Sequence, residues 1–471
     1  MGVRDKKWQV FSLVGVSIFM STLDSSIVNV ALPYIMEDLA SDVKTVQWVV
    51  VVYLLTVSSL LLTFGRLSDT RGRRMVYVAG FLVFTLGSLL CANAMTAYFL
   101  VGARMVQGIG ASMLMACSPA LVVDAFAPKE RGRALGLVGA VVAAGLTLGP
   151  LAGGAILACF SWRVIFYINV PIGMLAVAAG IFVLRGLPGG SGSREPLDKA
   201  GSLLLVIMLS CLIVPLARAS DWGLFSVKSG LCLLAGMLCA VGFVYNEKHA
   251  AFPLFDLDLL KIRLFTLPLI AAAMLFACLF VLVFMMPFFL TYPCGFSASR
   301  TGLIMIVPFL FLLVISPVSG MLADRLGSRL LCSTGMLLMG LSLFFLVFLR
   351  PDMGVLAIVW RIALAGIGTA LFVSPNNTAI MGSVPIHQRG ITSGAIATAR
   401  NLGMVSGVAL AGAVFSSFVS LQGHNGYGPD LAPAFMAGFT HVMGTGAGLA
   451  VVGVAVTVLR GKEAIKGSAP A

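Results

Sequence analysis

Charge is what this sequence has least of. Only 10% of its 471 residues are Asp, Glu, Lys or Arg, and acids are the scarcer kind, 18 against 31 bases. A soluble domain carries about a quarter of its residues charged, so with 59% of residues hydrophobic the chain reads as an integral membrane protein with little outside the bilayer. Cysteine and histidine are present but uncombined. The nine cysteines stand singly in apolar runs without a C-x-x-C pair, and His249, His387, His424 and His441 have no metal-ligand spacing, so no metal centre, disulfide framework or cofactor is implied. Catalytic signatures are also missing. There is no H-E-x-x-H, no G-x-x-x-x-G-K-[ST] and no credible Ser/His dyad, which argues against an intramembrane enzyme and against a self-contained nucleotide-driven pump. A net charge of +13 raises nucleic acid as a partner, but the bases are dispersed among short connections and no aromatic RNA-binding motif accompanies them.

What is there is a succession of long apolar runs. Windows of about 19 residues predict fourteen helices, near 9–33, 46–64, 75–94, 97–122, 134–158, 164–184, 200–217, 229–245, 266–290, 300–322, 330–349, 353–375, 389–418 and 434–458. The fold class is therefore an all-α membrane protein. The apolar run behind Arg4, Lys6 and Lys7 resembles a signal peptide but is too long, contains Asp24 and lacks a clear small-x-small cleavage site, so it is expected to remain as the first span. Only Lys44, Arg163, Arg218, Lys228, Arg300 and Arg350 fall in the alternate loops, and Arg104, Arg361 and Arg400 lie within spans. Every other base stands at the termini or in the remaining loops, which puts both ends in the cytoplasm by the positive-inside rule. The longest polar stretches are 185–199, read as a flexible linker, and 246–263, read as amphipathic and lying along the inner surface. The opposite-side stretch 422–433 is rich in glycine and proline and is expected to be irregular.

Asp24 is the deepest acid. It lies roughly 20 Å along the first helix from Phe11 at about 1.5 Å per residue, near the membrane middle. Ser17, Ser21, Asp24 and Ser25 share one face, with Thr22 and Asn29 at its edge, so this helix is expected to line a wet cavity. An ionisable group at such depth points to proton transfer or substrate binding; the alternative is an acid hydrogen-bonded to neighbouring helices for structure alone. Arg104 lies within the fourth span on a face shared with Gln107, Gly108 and Ala111, and an Asp24–Arg104 coupling, direct or through water, is the economical pairing. The alternative is that Arg104 only donates to backbone carbonyls of a neighbouring helix.

The chain repeats itself. Gly65-Arg66-Leu67-Ser68-Asp69-Thr70-Arg71-Gly72-Arg73 returns about 255 residues later at 320–329 with Gly320, Asp324, Arg325 and Gly327. Gln107-Gly108-Ile109-Gly110 is echoed by Ala365-Gly366-Ile367-Gly368, and Arg131-Gly132 by Arg389-Gly390. Six helices, two extra and six again is the order this implies, two bundles with a path between them. The expected division is an N-terminal bundle over 1–185, linkers with two additional helices over 186–265, and a C-terminal bundle over 266–471. In the stretch 65–74 the glycines are suited to close helix approach and chain reversal, and Asp69 to pairing with a base in one conformation and releasing it in another. A plain positive-inside anchor would explain the arginines without explaining why Gly65, Asp69 and Gly72 recur. In the fifth span Gly145, Gly149 and Gly153 repeat every four residues and make a smooth contact face, and Pro150 removes a backbone donor.

These motifs carry a resemblance. Together with Leu23-Asp24-Ser25-Ser26-Ile27-Val28-Asn29-Val30-Ala31-Leu32-Pro33 and Trp162-Arg163-Val164-Ile165-Phe166-Tyr167-Ile168-Asn169-Val170-Pro171, they make the chain similar to the major facilitator superfamily. Within it the chain resembles the fourteen-helix branch of drug:proton antiporters. The resemblance implies a cell (inner) membrane protein, monomeric, that exports drugs or other amphiphilic small molecules by alternating access in exchange for protons. It implies Asp24 with Arg104 as the proton-coupling pair, and Gly65, Asp69, Arg71, Gly72 and Arg73, with Asp324 and Arg325 in the copy, as a cytoplasmic gate. Gly145, Gly149, Pro150 and Gly153 become an antiport hinge. Thr70 departs from the usual basic residue in the gate, as does Ser328 in the copy. Ser21, Tyr53, Gln107, Asn376, Asn377, Arg400 and Asn401 are the candidate cavity residues, being polar or aromatic groups within spans. Asn376 and Asn377 follow Pro375 and equally suit a broken helix, and Arg400 equally suits a structural partner. Phe276, Phe284, Met285 and Phe309 suit an adaptable apolar pocket or ordinary packing. The competing function is a carrier for a specific metabolite such as an organic anion, because Arg104, Arg361 and Arg400 outnumber the buried acids.

Overall fold

Apolar runs in lipid must satisfy every backbone N–H and C=O within the segment, and the helix is the way an open chain does so. The computed structural model describes residues 6–127, 129–185, 198–223, 226–251, 254–385, 388–421 and 432–461. Among these, fourteen helices are long and apolar enough to cross a membrane. They are α1 (Lys7–Asp38), α2 (Val43–Arg71), α3 (Arg73–Ala92), α4 (Ala97–Ala125), α5 (Arg131–Cys159), α6 (Arg163–Val183), α7 (Lys199–Ala217), α8 (Val227–His249), α9 (Arg263–Thr291), α10 (Ala298–Leu326), α11 (Ser328–Val347), α12 (Val355–Gly382), α13 (Arg389–Leu421) and α14 (Ala432–Leu459). The number and order agree with the hydrophobic runs. The expected linker over 186–197 and the glycine-rich stretch over 422–431 lie outside the described residues.

Local chemistry sets the helix ends. Asp42 caps α2 by accepting from the Thr45 N–H at 2.9 Å, and Thr96 caps α4 by accepting from Phe99 at 3.2 Å. α6 breaks at Ile168 between Arg163–Tyr167 and Asn169–Val183, where Pro171 has no N–H to return to the preceding turn. α10 breaks in the same way at Ile306, just before Val307-Pro308.

One expectation needs correction. The stretch 65–74 is not a loop: α2 runs to Arg71, Gly72 alone reverses the chain at φ +96°, and α3 starts at Arg73. Gly327 does the same between α10 and α11 at φ +79°. Both lie in the half of φ space where a Cβ is strained, which is why glycine stands there. The stretch 246–263, expected to lie along the inner surface, is not a single element. Asn246–His249 completes α8, and Leu257–Lys261 is a 3₁₀ turn whose start Asp256 caps by accepting from the Asp258 N–H at 3.0 Å.

The chain divides into two units, Met1–Leu212 with Leu231–Phe255, and Ile213–Gly230 with Asp256–Ala471. In the first, α1 lies along α5 where glycines remove the Cβ atoms. A Cβ on Gly145 would fall on the Thr22 hydroxyl, one on Gly149 on the Ser26 hydroxyl, and one on Gly153 would come within 2.9 Å of Ile27 Cγ1. α3 and α4 approach likewise, Gly110 against the backbone of Phe84 and Gly87 against that of Gln107. In the second unit Gly403 and Gly407 of α13 press on the carbonyls of Ala273 and Ala277 in α9. These two glycines stand as far from Gly145 and Gly149 as Arg389-Gly390 stands from Arg131-Gly132, so the repeat includes the seam itself.

Candidate functional site

Asp24 and Arg104 meet. The acid on α1 and the base on α4 form an ion pair at 2.5 Å, Arg104 Nη1 donating to Asp24 Oδ2. The second carboxylate oxygen, Oδ1, accepts from Gln107 Nε2 at 2.9 Å and from Asn169 Nδ2 at 3.3 Å. Gln107, one turn beyond Arg104, also donates to Ser88 Oγ on α3 at 2.8 Å, and its own oxygen receives Arg104 Nη1 at 2.5 Å. Arg104 Nε is taken up by the Val49 carbonyl of α2 at 3.0 Å. The guanidinium lies over the Tyr53 ring with its carbon 4.0 Å from the centroid. Five helices of the first unit thus meet around one ion pair, two of them supplying donors to the carboxylate itself.

The geometry answers both sequence alternatives at once, since Arg104 takes a backbone carbonyl and the acid together. Asp24 and Arg104 are wholly buried, as are Gln107, Ser88 and Asn29, and Ser17 and Ser21 are covered too. The polar face of α1 is thus met by packed neighbours at Ser17, Ser21, Asp24 and Asn29, while Ser25 on the same face is half-exposed. The reason is stoichiometric: donors from α4 and α6 supply the carboxylate with what water would otherwise supply, and a charge pair sealed from water is tolerable only when its remaining hydrogen-bonding positions are filled. Ser21 gives its hydroxyl to the Ser17 carbonyl at 2.8 Å, and Tyr53 reaches the Ser21 carbonyl at 3.4 Å. Ser21, Tyr53 and Gln107 are thus buried parts of this joint.

Three residues of the network had escaped sequence reasoning. Ser88 and Cys91 are ordinary small polar groups in a span, and nothing in the sequence distinguishes them; the Cys91 thiol lies 3.7 Å from Gln107 Oε1. Asn169 did carry a signal, an amide two residues before Pro171 in a span. The break at Ile168 makes it the first residue of the second segment of α6, from which it reaches Asp24.

A second cluster sits where α2, α3 and α4 end. Arg73 donates to Asp69 at 3.0 Å and is paired with Asp124, tying the three helix ends. Arg71 is exposed, and Gly65 has open space where a Cβ would be, so its expected role in close helix approach is not met. The copy in the second unit keeps the turn without the tie. Ser328 stands where the first unit has Arg73, and Asp324 and Arg325 are exposed without an ion-pair partner among the described residues. On the opposite side of α1, Asp38 accepts from Trp162 Nε1 at 3.0 Å and Arg163 Nη1 at 2.7 Å.

The remaining candidates lie in the second unit. Asn376 is buried, donating to the Pro268 carbonyl at 3.0 Å and accepting from Arg460 at 3.2 Å, which is a packing role. Asn377 is half-buried, and Phe276, Phe284, Met285 and Phe309 are core. Arg361 donates to the Phe345 and Ala357 carbonyls at 3.0 and 2.6 Å and lies over Trp360. Arg400 is half-buried on α13, beside buried Asn401.

Fourteen spanning helices with a repeated Gly-turn and a repeated glycine seam are the frame in which known proteins are compared. The family profile described as Major Facilitator Superfamily matches residues 14–408 and, overlapping, 268–464. The chain belongs to the major facilitator superfamily. Among curated relatives, the riboflavin transporter RibZ of Clostridioides difficile is 35% identical over 414 residues, 88% of each chain. The multidrug resistance protein Stp of Mycobacterium tuberculosis is 32% identical over 416 residues, 88% of this chain and 77% of its own length. Among solved structures, a bacterial homologue of the human lysosomal transporter Spinster in an inward-facing, unoccupied conformation superposes with a TM-score of 0.74 at 16% identity, covering 98% of both chains. As a major facilitator protein, the chain is a multi-pass membrane transporter of small molecules.

Proposed function

We propose that this transporter exports amphiphilic small molecules in exchange for protons by alternating access, with Asp24 as the exchanging acid. The observation that carries the reading is the pairing of the chain's deepest carboxylate with Arg104 inside a five-helix junction. All donors around Asp24 serve an ionised carboxylate. A proton arriving on Oδ2 would end the ion pair and free Arg104, whose remaining partners, Val49, Gln107 and the Tyr53 ring, belong to α2 and α4. Protonation then weakens the hold of α1 on α4, and a weaker hold favours a conformation in which the junction opens to water. Burial and a neighbouring cation act in opposite senses on a carboxyl's proton affinity, so two conformations that differ in both bind the proton unequally. By linkage, a ligand favoured by one conformation is disfavoured by the proton that favours the other. The relatives named for multidrug resistance support the substrate class.

The experiment is transport by Asp24→Asn in proteoliposomes under an imposed pH gradient. The expected outcome is substrate movement that no longer responds to the gradient; a response of wild-type size assigns Asp24 to structure alone. A second reading, a carrier for one metabolite, is favoured by Arg400, whose buried Nε has no hydrogen-bond partner among the described residues, and by the relative named as a riboflavin transporter.

A further inference from the structure

Arg104, Arg361, Arg460 and Arg400 differ in what answers their charge, and for three of them a partner is present. Arg104 has Asp24, Arg361 has two carbonyls and the Trp360 face, and Arg460 has Asn376. Arg400 is the fourth. Among the described residues no side chain or carbonyl pairs with it, and its Nε is buried without a hydrogen-bond partner. A guanidinium cannot shed its charge, so relief by deprotonation is closed to it. Placing such a group within a span is unfavourable unless something pairs with it or hydrates it.

Its position is specific. Arg400 lies about 16 Å into α13 at ~1.5 Å rise per residue, one turn before Gly403 locks the helix onto Ala273. Beyond that point Gly403, Met404, Gly407 and Val408 are buried, whereas on the same face before it Ser393, Ile396 and Ala397 remain half-exposed. The cation therefore marks the inner end of a half-open helix face with apolar residues leading to it. Beside it the Asn401 amide nitrogen is a second buried donor without a partner among the described residues. The neighbourhood offers donors and positive charge. Between Arg263 and Arg460, the described acids are Asp324 and Asp352, both exposed and neither paired with Arg400.

We infer that Arg400, with Asn401 beside it, is the substrate-charge selector of the second unit and takes the anionic group, carboxylate, sulfonate or phosphate, of an amphiphilic ligand. The inference rests on the transport reading but assigns the opposite charge to that expected for a binder of lipophilic cations. An oxyanion answers a planar guanidinium with two acceptors, and an apolar body lies along Ile396 and Ala397. Asp24 and Arg400 then have separate tasks, the proton in one unit and the ligand's charge in the other.

The test uses purified protein in nanodiscs and two dyes that differ by one group, anilinonaphthalene sulfonate and neutral N-phenyl-1-naphthylamine, with empty nanodiscs as background and tetraphenylphosphonium as the cationic competitor. For Arg400→Gln the sulfonate should lose about tenfold in affinity while the neutral dye changes less than about twofold, and Arg400→Lys should fall between wild type and the glutamine variant. Equal loss of both dyes, no loss of the sulfonate, or displacement of the sulfonate by tetraphenylphosphonium more readily than by an excess of benzenesulfonate would overturn the assignment. If Arg400→Gln does not fold, the ratio of the two dyes in Arg400→Lys carries the test, since lysine keeps the charge and loses the planar fork. Gradient-driven transport measured on the same proteins separates the two readings: a binding difference without transport supports the anion site and counts against the exchange cycle.

Discussion

At the scale of single residues, the molecule is organised by one sealed charge pair. Breaking a buried pair by removing one partner costs about 3–5 kcal/mol, whereas removing both costs far less, because the penalty comes from the charge left behind. Asp24→Asn leaves Arg104 with the Val49 carbonyl and Gln107, so it should lower the unfolding midpoint of the purified protein more than Asp24→Asn combined with Arg104→Gln. A double-mutant cycle in thermal unfolding checks this, and independent additive losses would show the pair to be weakly coupled. Asn169→Ala removes one neutral donor and should cost about 1 kcal/mol, the worth of an ordinary hydrogen bond. Asp24 and Arg104 were legible in the sequence because a charge in an apolar run is conspicuous. Ser88 and Asn169 were not, since uncharged polar residues are common in spans and only the packing of α3 and α6 brings them to the acid. The sequence projection found the polar face of α1 but could not say whether water or neighbouring helices would meet it.

At the scale of elements, seams and turns do the positioning. The α1–α5 seam admits no Cβ at Gly149, where one would fall on the Ser26 hydroxyl. Gly149→Ala should therefore slow transport markedly, and Ser26→Gly in the same chain should restore part of the rate; a transport assay on the pair checks it. The rule of four that marks Gly145, Gly149 and Gly153 is visible in the sequence, and their contact with Thr22, Ser26 and Ile27 follows once α1 and α5 run side by side. Gly65 shows the limit of such reading, because it belongs to the same repeated motif as Gly72 yet has open space where a Cβ would stand. The turns are a separate test. Gly72→Ala forces φ +96° on a residue with a Cβ and should cost about 1–3 kcal/mol in stability. The tie beside it is present in only one copy, so Arg73→Ala should impair transport while Asp324→Asn leaves the rate within about twofold, the difference between a partly buried bridge and an exposed acid. Parallel rate measurements on the two variants decide it.

At the scale of the whole molecule, the repeat carries the scaffold twice and the chemistry once. Gly72 and Gly327, and the pairs Gly145 with Gly403 and Gly149 with Gly407, occupy matching places, yet α9 has no acid where α1 has Asp24, and α12 has Ile362 where α4 has Arg104. The helix count and the internal repeat were legible because hydrophobic length and glycine spacing are local properties. Which charges meet depends on packing between helices far apart in sequence, and that was inferred only where a charge had a single available partner. Orientation is a further expectation at this scale. With both termini in the cytoplasm, Cys159, exposed at the end of α5, faces outward, and in a Cys294→Ser chain a membrane-impermeant maleimide should label it in intact cells. Loss of that label in Cys159→Ser checks the site, and labelling only after lysis would invert the topology.

The ion pair also has a consequence for how the protein is made. Asp24 and Arg104 lie 80 residues apart. At about 5–20 residues per second, the ribosome needs roughly 4–16 seconds to deliver the second charge after the first. During that interval α1 sits at the translocon with an acid that nothing answers, at a cost of about 2.5–3.5 kcal/mol, while a segment with no charge beyond its first residue, such as α9, enters lipid unaided. Biogenesis of the first unit is therefore a waiting problem, and a chain whose fourth helix arrives late or altered should be surrendered to membrane quality control before it ever carries a substrate.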